Sequence, residues 1–267
     1  MEYFSEKAAQ NLAALRDKKP LIHTITNYVT MNFVANALLA MGASPVMAHC
    51  DAEVEEIVSS ADALVLNIGT LNKEWMPGMI AAGKKATTHK KPIVVDPVGC
   101  GATKHRTRFA QKIIAETKPA VIRGNPSEIL SLEHPDFKTR GVDSVHPVEE
   151  AAAPAQRLAG HLGITLAITG AFDWITDGKR GVRVENGHPL MGRVTGTGCA
   201  ATAVIAAFLA IDDDPLSAAS TAMAFLGLAG EVAGKKASAP GSFMIEMLNA
   251  LYTITPDALK DGCKIEE

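Results

Sequence analysis

Cysteine is scarce in this sequence: four residues in 267 (Cys50, Cys100, Cys199 and Cys263), none in a C-x-x-C pair. That argues against a disulfide framework or a zinc site and fits a reducing cytoplasm. The eight histidines show no H-E-x-x-H or comparable spacing, so each reads as a core or solvated residue. Excess positive charge is also lacking. A formal net charge of −3 gives no basic field for nucleic acid or a membrane surface, so no such partner is expected. An anionic ligand must then be held by local groups. The opening "MEYFSEKAAQNLAALRDKK" has neither a basic start nor an apolar stretch of signal-peptide type, so secretion is not expected. The longest apolar run, Ala200 to Ile211, falls far short of the ~20 residues that cross a bilayer, and "DDD" ends it. No linker, charge block or repeat interrupts the chain, and one domain over residues 1–267 is expected.

Short runs rich in Val, Ile and Leu recur between Gly, Pro, Asp and Asn: "PLIHTIT", "SPVMA", "DALVLNI", "PIVVDP", "PAVIRG" and "ITLAIT". Helical patterns separate them. In "NYVTMNFVANALLAMGA" the apolar positions Val29, Phe33, Val34, Ala37, Leu38 and Met41 fall three or four apart, and Gly42 supplies a stop. Strands apolar on both faces alternating with helices predict an α/β fold, a three-layer α/β/α sandwich around a mostly parallel sheet. Asp177-Gly178 predicts a hairpin, and from Cys199 onward the chain reads as helices.

Ligands of open parallel sheets bind beyond the carboxyl ends of the strands. The polar residues expected there are Asn27, Asp96, Arg123, Asn125 and Thr169, the last followed by Gly170. A further stretch, "GRVTGTGCAATAVIAAFLA", sets Gly196, Gly198 and Cys199 at the start of an apolar helix. Backbone N–H groups there are unpaired and carry partial positive charge, which suits an anion. Aimed donors are worth ~3 kcal/mol to transition-state charge, more than the ~0.3–1 kcal/mol of the dipole. A thiol at a helix N-terminus is expected to have its pKa lowered from ~8.5 and to accept a proton. By itself the turn is equally well read as close packing of a helix on a strand, with Cys199 a small buried hydrophobe. Asp96 could ligate Mg²⁺ directly or through water, or act as a turn residue. Arg123 could pair with phosphate, and Glu128 could hold metal-bound water. Alternatively, Asn125, Pro126 and Glu128 simply start a helix. Asp173 and Asp177 read as turn and hairpin residues without chemistry.

Taken in order, "HTITNYVTMNFVANALLAMGASPVMA", "DPVGCGAT", "RGNPSEI", "AITG" and "VTGTGCAATAVIAAF" resemble the hydroxyethylthiazole kinases of the ribokinase-like superfamily. The resemblance runs from about Leu21 to the final helix. It implies transfer of the γ-phosphoryl of ATP to the hydroxyl of 5-(2-hydroxyethyl)-4-methylthiazole, with Mg²⁺, in a cytoplasmic homotrimer whose sites lie between subunits. It further implies Cys199 as the base, Gly196 and Gly198 as the anion hole, and Arg123, Thr169 and Asn125 as ATP-binding residues. Met47, Gly196 and Asn27 would face the thiazole alcohol, and Asp96 and Glu128 the metal. Cys100 departs from the family's usual small residue after "DPVG", but is itself small. Two competing readings are acyl chemistry on Cys199 with His23 or His49 as partner, and a nucleotide sensor without chemistry.

Overall fold

The computed structural model describes residues 2–133 and 147–267. The chain runs α1 (Glu2–Lys18), β1 (Leu21–Ile25), α2 (Met31–Met41), β2 (Ser44–Val46), α3 (Val54–Ser60), β3 (Ala63–Asn67), α4 (Trp75–Thr88), β4 (Ile93–Asp96), α5 (Lys104–Thr117) and β5 (Val121–Gly124). It continues with α6 (Pro126–Glu133), α7 (Val148–Leu162), β6 (Thr165–Ile168), β7 (Asp173–Thr176), β8 (Gly181–Val184), a 3₁₀ turn (Pro189–Arg193), α8 (Thr197–Leu209), α9 (Pro215–Lys236), α10 (Pro240–Thr253), α11 (Pro256–Gly262) and β9 (Ile265–Glu266).

The nine strands among the described residues form one sheet in the order β2-β1-β3-β4-β5-β6-β7-β8-β9. Pairing is parallel from β2 to β6 and antiparallel from β6 to β9. Side chains alternate across it, as a period of two requires. Ala63, Val65, Val94, Val121 and Ala167 enter the apolar cluster built with α1, α2, α8, α9 and α10. Leu64, Leu66, Ile93, Val95, Ile122, Leu166 and Ile168 enter the one built with α3 to α7. Both faces are therefore covered, which gives the expected three layers.

α8 is buried from Ala200 to Leu209 without a break, so the apolar run is a core helix. Among the described residues only α9 has the length and composition to cross a membrane, and 83% of its apolar window is buried inside the fold. Gly42 ends α2 in the left-handed region, φ 107°, with its N–H on the carbonyls of Leu38 and Leu39. The hairpin expected at Asp177-Gly178 joins β7 and β8. The all-helical reading after Cys199 needs one correction, since β9 adds an edge strand along β8. Two residues are too short a run to show periodicity. α1, whose pattern was not read from the sequence, packs Phe4, Ala8, Leu12 and Leu15 into the core.

β1 has β2 on one side and β3 on the other, so the chain reverses its direction of travel through the sheet between β1 and β3. In open α/β sheets that is where a crevice opens. Asn27 follows β1 and Asn67 ends β3.

Candidate active site

Strands β3, β4 and β5, the loops after β1 and β6, and the starts of α6 and α8 deliver polar groups to this crevice. Asp96 closes β4 with no solvent exposure. Its Oδ2 accepts from Asn67 Nδ2 at 2.9 Å and Thr202 Oγ1 at 2.8 Å, and lies 3.8 Å from Arg123 Nη1. Among the described residues its Oδ1 has no partner. Burial raises its pKa, opposed by Arg123, Thr202 and Asn67. Arg123, on β5, also donates to Thr169 Oγ1, while its buried Nε has no partner among the described residues.

Asn125 and Glu128 form a capping box at the start of α6. Glu128 N–H donates to Asn125 Oδ1 and Asn125 N–H to Glu128 Oε2, both at 2.9 Å. Glu128 Oε1 takes the Gly99 N–H at 2.8 Å. The helix-start reading of "GNPSE" is therefore real, and it coexists with a buried carboxylate close to Asp96. Burial and the Asp96 charge push Glu128 up to about 7.

Cys199 is the third residue of α8. Gly196 precedes the helix at φ 94°, where a Cβ would lie 3.1 Å from Phe33 Cδ1. A Cβ on Gly198 would lie 2.8 Å from Arg123 Nη1, so this glycine lets the guanidinium lie on the first turn. The sulfur receives Asn27 Nδ2 at 3.3 Å and Asn67 Nδ2 at 3.2 Å. The expected lowering of its pKa is reversed: burial and the Asp96 charge push the thiol up, and hydrogen bonds from Thr30, Asn27 and Asn67 only oppose this. A helix start cannot offset removal of the sulfur from water beside a carboxylate. His23 bonds to the Ala48 carbonyl and His49 to Thr26, so both rings are engaged away from the sulfur that acyl chemistry would pair them with. Met47 packs against the same apolar cluster as Cys199, its sulfur 2.9 Å from Thr24 Oγ1.

A cavity of about 620 Å³ opens beside these groups, lined by Arg123, Asn125, Thr169, Asp173 and Gly198 among others. That is a ligand-sized volume. A larger one, about 780 Å³, lies on the outer face of α4 and α5 around Ile80, Lys84 and Phe109 and contains no residue of the site. Thr202, which donates to Asp96, and three further contributors escaped sequence reading. Asn67 looks like a strand end. Asp173, read as a turn residue, is buried in the cavity wall, where desolvation raises it to about 7. Arg106 donates to the carbonyls of Ile68, Gly69 and Val98 and ties the loops after β3 and β4 together.

The model of the hydroxyethylthiazole kinase family matches residues 12–257. This chain belongs to that family. A hydroxyethylthiazole kinase of Desulfotalea psychrophila is 58% identical over 267 residues, covering 100% of this chain and 98% of its own. One from Thermoanaerobacter sp. is 48% identical over 257 residues, 96% of this chain and 98% of its own. The solved structure of the hydroxyethylthiazole kinase protein from Pyrococcus horikoshii OT3 superposes with a TM-score of 0.90 at 42% identity, covering 100% of this chain and 99% of that one. The sheet and layers are those of the ribokinase-like fold of this family. The pyridoxal kinase of Staphylococcus aureus, solved with AMP-PCP, shares the fold at 18% identity and a TM-score of 0.59 over 80% of this chain and 88% of its own.

Proposed function

We propose that this member of the hydroxyethylthiazole kinase family phosphorylates the hydroxyethyl group of the thiazole moiety in thiamin salvage, with ATP as donor. The observation that carries the site assignment is the meeting of Cys199 with Asp96 through Asn67, within one crevice that Arg123 also borders. Nucleotide phosphates occupy the side of Arg123, Thr169 and Asn125, and the alcohol lies near Cys199, Asn27, Met47 and Gly196. In the transfer, the alcohol oxygen forms the new bond to the γ-phosphorus, the bridging P–O bond breaks and ADP leaves. Charge gathers on the phosphoryl oxygens. The N–H groups at Gly196 and Gly198 and the Arg123 guanidinium stabilise it, which is most of the catalysis in a loose transition state. To take the alcohol proton the Cys199 sulfur must be a thiolate; burial and the Asp96 charge disfavour that anion, and the two asparagine amides partly offset them.

Mg²⁺ fits the acidic side of the site. Asp96 Oδ1 is a buried carboxylate oxygen without a partner among the described residues, the kind of group a cation satisfies. Among the described residues no three His, Cys, Asp or Glu form a metal cluster. Mg²⁺ needs only one or two carboxylates, because waters and substrate phosphates complete its shell. Asp96 would hold it, with Glu128 acting through water because its oxygens already serve Gly99 and Asn125. The ion would neutralise phosphate charge.

Residues 1–267 form a single domain on this reading, working in the cytoplasm, and the four free cysteines fit a reducing compartment. On the same reading the chain works as a homotrimer with sites between subunits, and Tyr28 and Val29, 62% and 66% exposed directly after Asn27, form an apolar surface that a neighbouring copy would cover. Purified protein with Mg-ATP and the thiazole alcohol yields the phosphate ester, and EDTA abolishes the reaction. Absence of ester at saturating substrates would remove this function.

A further inference from the structure

We infer that Asn67 is a positioning residue for phosphoryl transfer, linking the Asp96 carboxylate to the Cys199 sulfur and fixing that sulfur as a hydrogen-bond acceptor. This rests on the reading of Cys199 as the proton acceptor.

The amide orientations are determined by groups that can only donate. Gly69 N–H lies 3.0 Å from one terminal atom of Asn67, which must therefore be the oxygen. The Asn67 nitrogen then spends its two hydrogens on Asp96 Oδ2 at 2.9 Å and Cys199 Sγ at 3.2 Å. Thr30 N–H lies 3.1 Å from Asn27 Oδ1 and settles that amide in the same way. The Asn27 nitrogen divides its hydrogens between Asn67 Oδ1 at 2.9 Å and Cys199 Sγ at 3.3 Å.

All four amide hydrogens are thus allocated, two of them to the sulfur. A thiol facing two N–H donors must turn its own hydrogen elsewhere, and a thiolate there gains both bonds. Asn67 governs both contacts, since its oxygen also holds the Asn27 amide. Gly69 makes room for this, because a Cβ there would lie 2.7 Å from Asn27 Nδ2. A buried side chain with every hydrogen bond assigned locks geometry in the way a reacting group requires.

The test is a double-mutant cycle on kcat with saturating Mg-ATP and thiazole alcohol. Asn67→Ala lowers kcat by about tenfold or more while KM for each substrate changes less than about threefold. In a Cys199→Ala background the same substitution lowers kcat by less than about twofold, because the group it positions is gone. Equal losses in both backgrounds would mark Asn67 as merely structural and overturn the inference. Wild-type kcat in Cys199→Ala alone would overturn the Cys199 reading instead, and this inference with it. Asn67→Asp keeps the acceptor for Gly69 and Asn27 but turns an oxygen toward the sulfur, so it completes the cycle should Asn67→Ala not fold. Undiminished kcat in Asn67→Asp also counts against the inference.

Discussion

The two halves of the crevice are built on opposite principles. Around Cys199, the amides of Asn27 and Asn67 have every hydrogen placed, three within a network of neutral groups and the fourth on Asp96 Oδ2, where the two halves join. Around Arg123 and Asp96, buried charges keep open valences: Asp96 Oδ1 and Arg123 Nε have no partner among the described residues, although both are out of solvent. Such omissions are costly in a folded chain. The contrast teaches a division of labour. The neutral half is finished before substrate arrives and sets geometry, whereas the charged half is completed by what binds there.

Substitutions that break the charged half have the largest effects. Asp96→Asn removes the charge facing Arg123 and the unpartnered oxygen together, and a loss of at least about 100-fold in kcat is expected. A loss of only a few-fold would mean that the open valence has no catalytic use. Gly198→Ala sharpens the contrast from within α8. The added Cβ would lie 2.8 Å from Arg123 Nη1 and displaces the guanidinium. The KM for ATP should rise by about tenfold with little change for the alcohol, and an equal rise for both would place Arg123 between the two substrates. The smallest effect is expected at Asp173, whose carboxyl is raised from 3.8 to about 7 by burial. The folded chain then holds a proton that the unfolded chain has released, so this contribution is complete below pH 4 and fades as pH rises to 7. Asp173→Asn keeps an acceptor for the Gly170 N–H and removes the titration. Its Tm should gain on the wild type by a few degrees between pH 4 and 7 and level off above, as thermal unfolding across that range would show.

How much of this could be read from the sequence depended on whether a signal was local. Apolar strands, the Gly42 stop and the Asp177-Gly178 hairpin carry their reasons within a few residues. So did the polar residues after β1, β4, β5 and β6, because strand ends in a parallel sheet converge by topology alone. Asn67 could not be found this way: it matters through contacts to positions 40, 29 and 132 residues away. The switch point between β1 and β3 would have drawn notice to it, had the strand order been known. Asp173 looked like a turn residue because burial is invisible in a single sequence. The thiol's pKa was misjudged for the same reason. The helix start is local and legible, whereas the desolvation and the Asp96 charge that outweigh it are not.

The comparison of Cys199→Asp with Cys199→Ala in kcat, at saturating Mg-ATP and thiazole alcohol, tests the division of labour most directly. If the neutral half exists to hold a proton acceptor, the carboxylate variant keeps substantial turnover and the alanine variant loses about tenfold or more. Alanine turning over as fast as wild type would show that no side chain at this position takes the proton.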